Sequence, residues 1–97
     1  MTELQVIARH TMTAGKEEEV LAALSKLIEA ARTEPGNLAF AAYRQFDDPR
    51  SYVLLERYTS REAFAEHRET KHFKDLLLGQ IVPRLDSRTI ETYDVTD

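Results

Sequence analysis

The residues able to do chemistry in this 97-residue chain are few: three histidines (His10, His67 and His72), 17 acidic side chains and no cysteine. Without cysteine there is no thiolate nucleophile, disulfide, iron–sulfur cluster or cysteine-ligated zinc. Proton transfer is the chemistry that imidazole and carboxylate can supply. Glu56 is the most informative residue, because the period of two in Tyr52-Val53-Leu54-Leu55-Glu56-Arg57-Tyr58 puts it on the face of Leu54 and Tyr58. A carboxylate set against an apolar layer needs a partner. His67, in register with Phe64 on a following helix, is the expected one. An imidazole held by a carboxylate is a competent general base, its tautomer and basicity set by that ion. His67 and Glu56 are therefore the candidate catalytic pair; the alternative is a structural hydrogen bond tying helix to sheet.

Tyr43, Tyr52 and Tyr58 offer hydroxyls and ring faces to a flat ligand, Arg44 a guanidinium to an oxyanion, and His72 a further imidazole. These are the candidate substrate-binding residues. Their alternative is ordinary strand packing with polar tips at the rim and, for His72, the start of a helix facing water. His72 follows His67 by five residues, roughly 140° around an unbroken helix. The two would then not face one ion, and no metal site is expected. With only three glycines, and neither a dinucleotide-binding glycine motif nor a P-loop, there is no nucleotide cradle. No cofactor is expected.

The elements that must position these side chains are readable from periodicity. Leu4, Val6, Ala8, His10 and Met12 alternate with Gln5, Ile7, Arg9 and Thr11, which predicts a strand. Behind Thr13 as cap and Glu17, Glu18 and Glu19 at a positive helix end, Val20, Leu24, Leu27 and Ala31 recur at helical spacing until Pro35-Gly36, an amphipathic helix. Leu38 to Phe46 and Ser51 to Tyr58 read as a hairpin about Asp47-Asp48-Pro49. Thr59 and Glu62 form a capping box for a second helix carrying Ala63, Phe64 and His67. Thr70 caps a third segment with Phe73, Leu76, Leu77 and Ile81 on one face, limited by Gly79 and Pro83. Leu85 to Val95 is the last strand. The order βαββαβ predicts an α+β fold: a ferredoxin-like antiparallel sheet with helices on one face, in a single domain covering residues 1–97.

Two helices cover one side of such a sheet, yet Ile7, Ala39, Ala41, Val53, Leu55 and Ile90 are apolar candidates for the other. A second copy packed sheet to sheet is the simplest shield, so a homodimer is expected. Lys and Arg number 13 against 17 acids and are scattered, so no basic stripe tracks a phosphate backbone and nucleic acid is not an expected partner. Even the longest apolar run, Leu38 to Tyr43, is far short of the roughly 20 residues that span a bilayer, and Met1 leads directly into the alternating segment. No membrane partner and a cytoplasmic location are expected.

Glu34-Pro-Gly-Asn-Leu-Ala-Phe, Tyr52-Val-Leu-Leu-Glu-Arg-Tyr and Ala65-Glu-His-Arg-Glu-Thr-Lys-His-Phe-Lys together resemble the antibiotic biosynthesis monooxygenase domain family, over about Thr2 to Tyr93. The resemblance implies a dimeric α+β barrel. Members include cofactor-independent monooxygenases of polycyclic aromatic hydroquinones, a quinol monooxygenase, haem-degrading enzymes and an isomerase of a phosphorylated autoinducer. The haem-degrading members use an asparagine in the first strand, a tryptophan in the third and a histidine in the last helical segment. Here Ala8, Tyr58 and Leu77 stand at those places, which counts against haem. Tyr58 and the Glu-Pro-Gly-Asn-Leu-x-Phe run are closer to the isomerase branch. The implied activity is a cofactor-independent monooxygenase of a quinol or activated polycyclic aromatic: a base deprotonates the substrate, whose anion reacts directly with oxygen. The alternatives are an isomerase of a small phosphorylated dicarbonyl, with Arg9, Arg44 or Arg57 for the phosphate, and a non-catalytic ligand-binding dimer.

Overall fold

The computed structural model describes residues 2–96; Met1 and Asp97, the ends of the 1–97 domain range, lie outside the described residues. Strand β1 (Glu3–Met12) leads to helix α1 (Glu17–Ala31), the hairpin β2 (Asn37–Gln45) and β3 (Asp48–Tyr58), helix α2 (Arg61–Glu69), a π-helix (Phe73–Ile81), a short 3-10 turn (Val82–Arg84) and β4 (Leu85–Val95). The strands form one antiparallel sheet in the order β2-β3-β1-β4, the expected ferredoxin-like α+β arrangement. Among the described residues no helix is long and apolar enough to cross a membrane.

Alternation along β1 is realised residue by residue: Leu4, Val6, Ala8, His10 and Met12 are buried while their neighbours are not. α1 buries Val20, Leu24, Leu27 and Ala31, as its spacing predicts, together with Ala23. The π-helix buries Phe73, Leu77 and Ile81, one residue in four, and Val82 N bonds Leu77 O across five residues, the wider turn that defines this helix type. Two apolar clusters result. The larger joins α1 and the π-helix to the sheet; the smaller sets Leu4, Val6 and Tyr58 under Ala63 and Phe64 of α2.

Several local expectations shift by a residue or two. The hairpin turn is Phe46-Asp47, with Asp48 already paired to Gln45, because the tight connection draws Asp48 and Pro49 into β3. α2 is capped by Ser60, whose hydroxyl accepts from Ala63 N at 3.1 Å, instead of Thr59. Thr13 does not cap α1; its hydroxyl donates to Asp86 at 2.9 Å, and Gly15, at φ 88°, turns the chain into the helix. Ile90 pairs with Ala8 and so lies on the helix-covered face, not the open one. A bulge between Thr11 and Met12 shifts the β1–β4 register, which alternation within β4 alone does not disclose.

The open face carries Ile7 and Leu55, directly paired, with Leu55 also paired to Ala41. Val53 is paired to Tyr43, and Tyr93 sits opposite Gln5. Ion pairs Arg9–Glu91 and Arg57–Glu3, each 2.9 Å, flank this apolar centre. Leu55, Tyr43 and Tyr93 are exposed.

Candidate active site

His67 lies on the sheet-facing side of α2, 2% exposed, and is enclosed by the rings of Phe73, Tyr58 and Phe40 with centroids at 5.2, 5.4 and 5.7 Å. Its carboxylate partner is not Glu56. Nδ1 stands 2.7 and 3.0 Å from the two oxygens of Glu34, and Nε2 of His72 stands 2.6 Å from Glu34 Oε2. Glu34 belongs to the turn closing α1, whose backbone is fixed by the bonds Glu34 N to Ala31 O and Asn37 N to Glu34 O, both 3.1 Å. Gly36 lets this turn lie against α2. A Cβ built there would stand 2.5 Å from the Cβ of Ala63, so a side chain would push the turn, and Glu34 with it, off the helix.

His72 reaches the same carboxylate because α2 stops at Thr70, which is extended at φ −70° and ψ 154°. The Thr70 hydroxyl donates to His67 O at 2.7 Å and accepts from Phe73 N at 3.2 Å, ending one helix and starting the next. This break corrects the expectation, drawn from a continuous helix, that His67 and His72 point apart. Donor atoms of Glu34, His67 and His72 lie within 4.8 Å of one another, the grouping among the described residues able to hold a metal ion.

An ionised carboxylate only accepts hydrogen bonds. Both ring nitrogens facing Glu34 therefore donate, and His67 keeps its lone pair on Nε2. Burial lowers the pKa of His67, while the Glu34 hydrogen bond opposes that shift. The ring is thus neutral at neutral pH, with one nitrogen basic and the other anchored.

Glu56 is 5% exposed and accepts a 2.6 Å hydrogen bond from Tyr58 Oη. Burial pushes its pKa up to about 7 against the opposing pull of that donor. The Tyr58 phenol is pushed up in turn, by burial first and then by Glu56. The expected Glu56–His67 pair is replaced because Tyr58, two residues along the same strand face, meets the carboxylate within its own strand.

Between sheet and helices lies a cavity of about 20 Å³ whose walls include His10, Glu56, His67, Phe73, Arg88 and Ile90. That is room for about one water molecule. The structure therefore gathers His67, Glu56, Tyr58 and His72 in one region. Tyr43 does not join them: it is 58% exposed on the open face, because its neighbour Phe40 fixes the opposite parity of β2 as inward. Arg44 is spent at the hairpin end, its Nε donating to Pro49 O. Tyr52 faces inward but bonds His10 Nδ1 at 2.7 Å, at a distance of several residues along the strand from Glu56. Sequence reasoning missed roles for Glu34, His10 and Arg88. A glutamate immediately before the Pro35-Gly36 helix stop was the available signal for the first; the register that turns Arg88 inward, opposite His10, had none.

The family model for antibiotic biosynthesis monooxygenase matches residues 4–77. The candidate monooxygenase YcnE of Bacillus subtilis is 30% identical over 59 residues, 61% of this chain and 62% of YcnE. The Synechocystis protein sll1783 is 29% identical over 62 residues, 64% of this chain and 42% of its own length. The chain thus spans less than two thirds of the curated relatives it matches. Among solved structures, SO0527 of Shewanella oneidensis superposes with a TM-score of 0.89 at 27% identity, covering 97% of this chain and 91% of the other. An antibiotic biosynthesis monooxygenase gives 0.90 at 28%, covering 97% and 99%. Rv0793 of Mycobacterium tuberculosis gives 0.89 at 28%, covering 98% and 96%.

Proposed function

The chain belongs to the antibiotic biosynthesis monooxygenase family, and from that premise we propose a cofactor-independent monooxygenase acting on a quinol or an activated polycyclic aromatic such as an anthrone. The observation that carries this is the His67 ring, anchored through Nδ1 by Glu34 and enclosed by aromatic side chains. Nε2 removes a proton from the substrate. The resulting carbanion, delocalised as an enolate, gives electrons to oxygen and a C–O bond forms. With an anthrone the O–O bond then breaks: one oxygen stays as a new carbonyl and the other leaves as water with the two hydrogens of the oxidised methylene. The substrate itself supplies every electron, so no reductant is needed. Apolar walls keep the anion from bulk water. Because the cavity is small, a planar ligand enters by displacing Arg68 and Ile90, the exposed side chains of its wall.

Oxygen uptake recorded during a screen of anthrones, naphthoquinols and small dicarbonyls tests this. Consumption of one oxygen per turnover supports it. Turnover of a dicarbonyl without oxygen uptake marks an isomerase instead, and binding with no turnover of any of them marks a ligand-binding protein.

The open sheet face supports a homodimer packed sheet to sheet, since an apolar centre around Ile7 and Leu55 with charged flanks is the anatomy of a self-complementary interface. A Leu55→Glu substitution places two like charges near the twofold axis of such a pair. It is expected to give monomers by light scattering at micromolar concentration where the native chain gives dimers; a native monomer would contradict the assembly.

A further inference from the structure

The cavity beside His67 has a second polar wall that the proton transfer does not use. His10, on β1, and Arg88, its directly opposed partner on β4, both line it. His10 Nε2 and Arg88 Nε are buried nitrogens with no hydrogen-bond partner among the described residues. His10 is 2% exposed. Leaving a buried polar nitrogen unpaired is costly, and two against one cavity of water-molecule size point to an occupant that both can bond.

The chemistry of that occupant follows from which atoms carry hydrogen. Arg88 Nε is always a donor. For His10 the neighbour decides: Nδ1 lies 2.7 Å from Tyr52 Oη. A phenol is the better donor and an imidazole nitrogen the better acceptor, and burial pushes the Tyr52 pKa further up, keeping its proton. Tyr52 therefore donates to Nδ1 and the hydrogen of the ring sits on Nε2. Burial, then the charge of Arg88, lowers the His10 pKa to about 4, so the ring is neutral and its tautomer is set by Tyr52. Two N–H donors, one of them charged, thus face a space that admits a single oxygen atom. Glu56, on the same walls, is largely protonated below its raised pKa of about 7 and leaves the site net positive there.

We propose that His10 and Arg88 form a binding site for the anionic oxygen of a planar ligand, a phenolate or enolate, with Tyr52 as the positioning residue that fixes the His10 tautomer. This rests on the oxygenase reading only for what the anion does next: the oxygen held here would be the one on which the charge created by His67 settles, in the manner of an oxyanion hole. Tyr52, expected from the sequence to touch substrate, acts through His10 instead.

The probe is 4-nitrophenol, whose phenolate absorbs visible light and whose phenol does not; it consumes no oxygen. Titrated at pH 6 into the full chain, it is expected to bind with growth of the phenolate band beyond that of the free probe at the same pH. Arg88→Met, which retains an unbranched stem as far as the position of Nε and removes the charge and the donor, should weaken binding by about 10- to 100-fold, the effect of one charge-assisted hydrogen bond. Tyr52→Phe, which retains the ring, should weaken it about 2- to 10-fold. 4-Nitrobenzoate, a carboxylate of similar size, should bind less well because its second oxygen exceeds the space. Far-ultraviolet circular dichroism confirms that each variant is folded. Binding as the colourless phenol, no spectral change up to about 1 mM probe, equal affinity in folded Arg88→Met, or tighter binding of the carboxylate would overturn the site. A chain that binds the phenolate yet oxidises no substrate overturns the oxygenase reading and leaves this site standing.

Discussion

Replacing His67 by alanine is expected to slow oxygen uptake with an accepted anthrone or quinol by about 10²- to 10⁴-fold, the usual loss on removing a positioned general base. The side chain is 2% exposed and packed among rings, so the variant's fold is checked by circular dichroism. Added imidazole, able to enter the vacated space, should restore part of the rate. Glu34→Gln tests the anchor. An amide can donate as well as accept, so the His67 tautomer is no longer dictated and the rate should fall while His67 remains in place, as when an orienting carboxylate is lost from a catalytic triad. Unchanged turnover in His67→Ala would remove this residue from the mechanism.

The second large effect is on stability. In the unfolded chain Glu56 ionises near 4.5, and in the folded protein near 7 because of burial. The folded state therefore holds the proton over that interval while the unfolded state has released it, and stability falls as pH rises from 4.5 through 7. Above that window the contribution is a loss of about 3 kcal/mol, at about 1.4 kcal/mol per pKa unit. Glu56→Gln retains a carbonyl to accept from Tyr58 and never ionises. Urea unfolding should show it more stable than the native chain by about 2–3 kcal/mol at pH 8 and nearly equal at pH 4. His10 acts in the opposite direction, its pKa lowered from 6.5 to about 4, so its contribution is lost as pH falls through that range. This term is common to both chains and cancels in the comparison. Equal stability at pH 8 would mean that Glu56 is not a buried acid.

How much of this was legible depends on the range over which each residue acts. The alternation of β1 and the spacing of Val20, Leu24, Leu27 and Ala31 are local patterns set by burial on one face, and they placed the sheet, the helices and the inward direction of Glu56 and Tyr58 correctly. The need of a buried Glu56 for a partner was also legible, but the expected partner, His67, meets a different carboxylate and Glu56 meets Tyr58. The carboxylate that His67 does meet was not legible, because Glu34 reaches it through a close approach of Gly36 to Ala63, a contact between segments that no periodicity encodes. The His67–His72 angle failed for a related reason: the Thr70 hydroxyl bonds interrupt a helix whose apolar spacing carries no mark of the break. Ile90 and Arg88 were lost to the bulge beside Thr11, where a slip of one residue exchanges the two faces.

The proposed oxygenase chemistry requires that His67 present an unprotonated Nε2 while its Nδ1–H is committed to Glu34. Ring ¹⁵N chemical shifts of His67 at pH 7 report this arrangement. Nδ1 is expected to be protonated and Nε2 bare, with that preference lost in Glu34→Gln; a native ring carrying its hydrogen on Nε2, or on both nitrogens, would rule this mechanism out.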